Sequence, residues 1–252
     1  MSSIGYNTMG NIEFFNELAE KKIFSNARMF SFDRNVYKRT FADIARKVNF
    51  LKSDVVLDLG GGCGQIANFI AAECKQVALA DGAESSIRAA KQLLANRQNI
   101  FYKRLDLTQF PFPFEDGYFD KIICYSVVHY LPDHGQFQKL VCEMIRITKS
   151  GGKILIGDIP LSDKASRYLA ERKKDKFRNF YFNIRYSLRK FITGLQYKLS
   201  GVDTGQVSGL AYTKPLVEKL ISALGGIKFT FLEQDRLLPF ANSREDLLIS
   251  KS

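Results

Sequence analysis

Two rhythms of apolar residues alternate along this chain, and together they predict strands alternating with helices. Short, nearly continuous apolar runs fall at 55–59, 76–80, 100–105, 118–125, 153–157, 227–234 and 246–250. Runs of that length suit strands, and the one at 118–125 suits a strand covered by helices on both sides. Between them, apolar positions recur at helical spacing. Ile66, Ala67, Phe69 and Ile70 follow the first run, and similar patterns span 84–94, 136–147 and 214–224. Asp133 is an N-cap residue type for the helix over 136–147, and the glycines of 149–152 read as its C-terminal stop. Two helices are expected ahead of the first strand. One is capped by Asn11 or a neighbour and runs through Ile12, Phe15, Leu18 and Ala19. The other starts near Asp33 and runs through Val36, Tyr37, Phe41, Ile44, Ala45, Val48 and Leu51. The alternation from 54 to 158 predicts an α/β fold with a doubly wound parallel sheet.

The first strand ends in Asp58-Leu-Gly60-Gly61-Gly62-Cys-Gly64. A strand, a glycine-rich turn and a helix starting beneath it form the crevice where open α/β sheets bind ligands. A dinucleotide fingerprint needs a third glycine where Gln65 stands, and no Gly-Lys-Ser/Thr follows for a nucleotide P-loop. The glycines instead offer bare backbone against which a ligand without phosphates can lie. The pattern Asp58-x-Gly60-x-Gly62-x-Gly64 resembles the first motif of the class I S-adenosylmethionine-dependent methyltransferases. The segment from Phe112 to Asp133, with Phe119-Asp120 and His129-Tyr130-Leu131-Pro132, and the run Arg146 to Asp158 resemble later parts of the same family.

That resemblance implies a seven-stranded Rossmann-like sheet in the order 3-2-1-4-5-7-6, the last two strands closing antiparallel. It implies S-adenosyl-L-methionine as cofactor, S-adenosyl-L-homocysteine as product, and no metal. Cofactor contacts are implied at Asp58, Gly60, Gly61, Gly62, Asp81, Gly82, Asp106, Leu107 and Tyr125. Asp81 ends the second strand about twenty residues past the glycines, where a carboxylate's two oxygens match two ribose hydroxyls. Asp106 and Leu107 take the adenine place. Four segments are expected: a helical cap over 1–53, which leaves open whether Tyr6 or Tyr37 reaches the site; a cofactor-binding core over 54–160; a basic helical insertion over 161–212; and a completing helix and strands over 213–252.

Composition narrows the setting. The chain has 252 residues, 46% hydrophobic and 25% charged, ordinary for a globular domain. No apolar run approaches the ~18 residues of a membrane span, and the start lacks the regions of a signal peptide. Cys63, Cys74, Cys124 and Cys142 show no metal-ligand spacing with His129 or His134, which suits reduced thiols in the cytoplasm. Charge is uneven. Between Lys164 and Lys198 stand eleven Lys and Arg against Glu171 and Asp175, which accounts for most of the net +11. On a helix, Phe177, Tyr181, Ile184, Leu188, Phe191, Leu195 and Leu199 share one stripe, with Arg178, Arg185 and Arg189 away from it. Segments after the fifth strand often cover the acceptor in this family, so a lid is expected. Its basic face suits a phosphorylated or lipid-linked acceptor, an anionic membrane surface, or nucleic acid less readily. It also suits a solvated face with no partner.

Methyl transfer from a sulfonium releases a neutral leaving group, so the protein's tasks are alignment and removal of the acceptor's proton. His129, just past the fourth strand and with an ordinary pKa of about 6.5, is the candidate base; packing of the loop is its bland alternative. His134 reads as surface. The residues after the fourth strand, Cys124-Tyr125-Ser126-Val127, lack the Pro-Pro-aromatic signature of base-amino methylases, and 126–131 lacks the carboxylates of arginine methylases. A small or carrier-bound acceptor methylated on O, N or C remains. The alternatives are an RNA-binding or RNA-modifying protein working through the basic insertion, and a non-catalytic cofactor-binding subunit.

Overall fold

The computed structural model describes residues 8–20, 35–173, 209–238 and 240–251. All seven apolar runs form strands: β1 (Val55–Leu59), β2 (Gln76–Asp81), β3 (Ile100–Arg104), β4 (Phe119–Tyr125), β5 (Thr148–Pro160), β6 (Lys228–Glu233) and β7 (Arg244–Ser250). They join in one sheet ordered β3-β2-β1-β4-β5-β7-β6. The first five are parallel, and β7 runs antiparallel between β5 and β6. That is the Rossmann-like sheet the motifs implied.

Alternate residues of each central strand face opposite layers. Leu57, Leu59, Ile122, Cys124, Ile154 and Ile156 share one core with Phe137, Leu140 and Met144 of α5 (His134–Ile147) and Val217 and Ile221 of α7 (Lys214–Ser222). Val56, Val77, Leu79, Ile123 and Leu155 share the other with Ile44 and Val48 of α2 (Val36–Val48). Ile66, Ala67 and Ile70 of α3 (Gln65–Glu73) and Ala90 of α4 (Glu84–Leu93) complete it. Because both faces are buried, the centres of these strands are apolar.

Asp133 caps α5 by accepting from Gln136 N at 2.8 Å, and Thr213 caps α7 by accepting from Leu216 N at 3.3 Å. Other ends differ from expectation. Residues 148–152 do not stop α5: the helix ends at Ile147 and β5 begins at Thr148, with Gly151 at φ 75° inside the strand. Asn11 lies within α1 (Thr8–Glu20) rather than capping it. Asn35 stands at the N-cap of α2, and Asp33 lies outside the described residues.

The insertion leaves the sheet through α6 (Ser162–Lys173). Its stripe from Phe177 to Leu199 lies outside the described residues, as does Tyr6. Its two ends meet: Leu161 pairs with Tyr212 in an isolated bridge, and Ser162 N donates to Tyr212 O at 2.9 Å. No helix among the described residues is long and apolar enough to cross a membrane.

Candidate functional site

The C-terminal ends of β1 to β4 open into one cleft of about 1320 Å³, open solvent at its mouth included. Strand polarity and the crossovers bring there what the sequence scatters. Asp58 and Gly60–Gly62 come from β1 and its loop. Asp81 and Gly82 follow from β2, Asp106 and Leu107 from beyond β3, and Tyr125 from β4. All nine of the expected cofactor residues line the cleft. His129 does not. It is buried on a single 3-10 turn, Val128–Tyr130, with its ring 4.1 Å from that of Tyr130 and its carbonyl accepting from Leu210 N at 2.6 Å.

The loop after β1 is held by backbone alone on one side: Gly60 N and Gly61 N both donate to Ala80 O, at 2.7 and 3.1 Å. On the other it is held by Asp81. Its Oδ2 accepts from Gly62 N at 2.9 Å, and its Oδ1 accepts from Ala83 N at 2.8 Å. The same carboxylate therefore fixes the glycine loop and turns the chain into α4. Burial pushes its pKa above the usual carboxylate range, against the pull of those two N–H groups. Asp106 is tied by its Oδ1 to Thr108 N at 2.9 Å and Thr108 Oγ1 at 2.7 Å.

Gly60 has φ 72°, and a Cβ there would lie 2.4 Å from Val127 Cγ2. Gly62 has φ 55°, but a Cβ there would meet nothing within 4 Å. The first glycine is needed to close the loop against Val127, just past β4, the second to leave the cleft open. Gly60→Ala is therefore expected to lower stability by more than Gly151→Ala. The latter shares a φ near 75° but has open space around it and bears only the left-handed backbone cost, roughly 1–2 kcal/mol. Thermal melts of the two variants measure the difference.

The roof is the N-terminal helix that the apolar spacing marked, but the partners of its polar residues were not legible. Ile12, Phe15, Leu18 and Ala19 of α1 form the apolar side of the cleft, facing Tyr130, Leu131 and Val127. Phe15 meets the Tyr130 ring edge-on at 5.0 Å, and Asn11 Nδ2 donates to Tyr130 O at 2.8 Å. Asn16 Oδ1 accepts from Ser85 N at 3.0 Å, so the first turn of α4 receives its cap from a different helix. Gly82 fits under this roof, since a Cβ there would be 3.1 Å from Ile12 Cδ1. Cys63 also lines the cleft, but burial, with the Asp81 charge second, pushes its thiol to about 11. It is a thiol at neutral pH, not a nucleophile. His134 is partly exposed, with Nε2 2.9 Å from Ala211 O.

Residues 57–156 match the model of the family described as a methyltransferase domain. Those residues carry a methyltransferase domain. Over 150 residues it is 32% identical to the ubiquinone/menaquinone biosynthesis C-methyltransferase UbiE of Francisella philomiragia, covering 56% of this chain and 56% of that protein. The chain thus spans about half the length of the curated relatives it matches. Among solved structures, it resembles phosphoethanolamine N-methyltransferase 1 of Haemonchus contortus with a TM-score of 0.64 at 14% identity, over 100% of this chain and 50% of that one. It resembles the N-methyltransferase NodS of Bradyrhizobium japonicum with a TM-score of 0.57 at 15% identity, over 94% and 98%. At those identities the likeness is one of fold.

Behind the cleft lies a charged cluster that sequence reading missed. Lys47 of α2 donates to Asp43 at 2.6 Å and to Asp246 of β7 at 2.8 Å. Asp246 Oδ1 accepts from Gln234 Nε2 at 2.9 Å and from Asp158 N at 2.8 Å. Gln234 Nε2 also donates to the Tyr125 hydroxyl at 2.9 Å. The sequence carries no local signal that pairs Lys47 with Asp246, 199 positions away.

Proposed function

We propose that this chain transfers a methyl group from S-adenosyl-L-methionine to a small or carrier-linked acceptor. The observation that carries the reading is the convergence of a Cβ-free loop with three carboxylates, Asp58, Asp81 and Asp106, on successive strand ends of one cleft. These suit the cofactor's amino-acid end, ribose and adenine respectively. When bound, the cofactor supplies an electrophilic methyl on a sulfonium. The protein's part is to align the acceptor, exclude water under α1 and receive a proton.

The acceptor side is the wall formed by Phe15, Ser126, Val127, Tyr130 and Leu131. Among the described residues the cleft wall carries those three carboxylates and neither Lys nor Arg. An uncharged, largely apolar acceptor suits that wall, in keeping with relatives named for C-methylation in quinone biosynthesis. A phosphorylated or lipid-linked acceptor would need its charge met by the basic insertion. The insertion's return at Leu210, bonded to His129 O, borders this wall. His129 then acts through the turn that carries Tyr130 and Leu131.

Titration calorimetry with S-adenosyl-L-methionine and S-adenosyl-L-homocysteine, followed by a turnover screen over phenols, quinols, amines and phosphorylated sugars, tests the reading. Micromolar binding of both compounds and product release with one acceptor class are expected. No cofactor binding, alongside salt-sensitive RNA binding, would replace it with the RNA-binding alternative.

A further inference from the structure

Two residues other than glycine hold left-handed backbone at the tips of neighbouring strands: Ser126 after β4, at φ 62°, and Asp158 in β5, at φ 63°. Such conformations cost free energy and persist where surrounding contacts over-determine them, often at functional sites. Here the two side chains are joined, Ser126 Oγ donating to Asp158 Oδ2. Ser126 lines the main cleft, and Asp158 is buried behind it.

Asp158 is itself tightly held. Arg244 Nη1 donates at 2.6 Å to the same oxygen that Ser126 reaches, and Gln234 Nε2 lies 3.3 Å from the other. Arg244 is in turn seated over the Phe240 ring at 4.5 Å. A carboxylate paired with a guanidinium only accepts hydrogen bonds, so the serine's single hydrogen is committed to Asp158. What Ser126 presents to the cleft is oxygen lone pairs.

We infer that Ser126 is a specificity-determining contact for the methyl acceptor, selecting a neutral O–H or N–H donor on an apolar body. Asp158 is the positioning residue that fixes the direction of the hydroxyl. The selection follows from direction: an ether or ester oxygen meets lone pairs, whereas a phenol or amine donates to them. Phe15, Val127, Tyr130 and Leu131 supply the apolar surroundings in which that difference counts. The inference rests on the cleft being the methyl-transfer site.

The test uses the full chain loaded with S-adenosyl-L-homocysteine, titrated with phenol, aniline and anisole. Phenol or aniline is expected to bind about fivefold more tightly than anisole, the worth of one hydrogen bond. Ser126→Ala removes the preference. Asp158→Asn keeps it, because the amide oxygen still accepts from Ser126 and Arg244. Asp158→Ala removes it by freeing the hydroxyl to turn and donate. If Asp158→Ala does not fold, Ser126→Ala and Asp158→Asn decide the matter. Equal binding of phenol, aniline and anisole to the unaltered chain, or a preference that survives Ser126→Ala, overturns the inference while leaving the methyltransferase reading intact. Failure to bind S-adenosyl-L-homocysteine overturns both.

Discussion

Lys47→Met is expected to destabilise the protein by about 3–5 kcal/mol at neutral pH, the usual cost of removing one partner from a buried ion pair. Lys47 is almost wholly buried between the carboxylates of Asp43 and Asp246, whose side chains have no exposed surface. Without it, Asp43 keeps only the exposed Arg46, and Asp246 keeps only neutral donors. Burial already pushes the Asp246 pKa upward even with Lys47 beside it. A carboxyl raised in the folded state contributes stability that is present below its unfolded value, about 3.9, and lost as pH rises through its folded one. Removing Lys47 raises the folded value further. The gap in stability between Lys47→Met and the unaltered chain should therefore narrow as pH falls from neutral towards 5. Urea melts at several pH values measure this, and a gap independent of pH would show that Lys47 acts by packing alone. Lys47→Met with Asp246→Asn should recover most of the loss, since it removes the stranded charge.

That cluster also shows where sequence stopped being informative. The sheet was legible because a strand buried on both faces needs an apolar centre, and such runs mark themselves locally. The glycine loop and the carboxylates at strand ends were legible for a related reason. A βαβ crossover fixes where a strand ends, so a residue's place in the run gives its place in the cleft. Lys47 and Asp246 are 199 positions apart, and each alone reads as an ordinary surface charge. Asn11 misled in the same way, and Asn16 went unread. Both are good cap residues, but neither serves its own helix. Asn11 reaches Tyr130 and Asn16 caps α4, contacts created only when α1 folds over the cleft. Ser126 escaped because nothing in its type announces left-handed backbone.

Asp81→Asn should weaken cofactor binding by roughly 10- to 100-fold, the range expected for hydrogen bonds to a charged group, while leaving the melting temperature of the unliganded protein unchanged or higher. The carboxylate's two roles in the free protein explain the separation. It accepts from Gly62 N and Ala83 N, which favours the charged form, but burial outweighs those bonds and holds its pKa above the usual range. By linkage, this group's contribution to stability is present below about pH 3.9 and lost as pH rises through the raised folded value, so at neutral pH the charge is a cost. Asparagine removes that cost and leaves one of the two N–H groups without its partner, and the two effects oppose. Cofactor affinity runs the other way with pH. The two ribose hydroxyls need acceptor oxygens, and protonation of Asp81 converts one oxygen into a donor. Affinity of the unaltered chain should fall on acidification at a pH above that of an ordinary carboxylate, while Asp81→Asn stays flat over the same interval. Calorimetric titrations from pH 8 to pH 5, paired with melts of the unliganded proteins, would expose the opposite signs. Parallel behaviour of the two variants would place the ribose elsewhere.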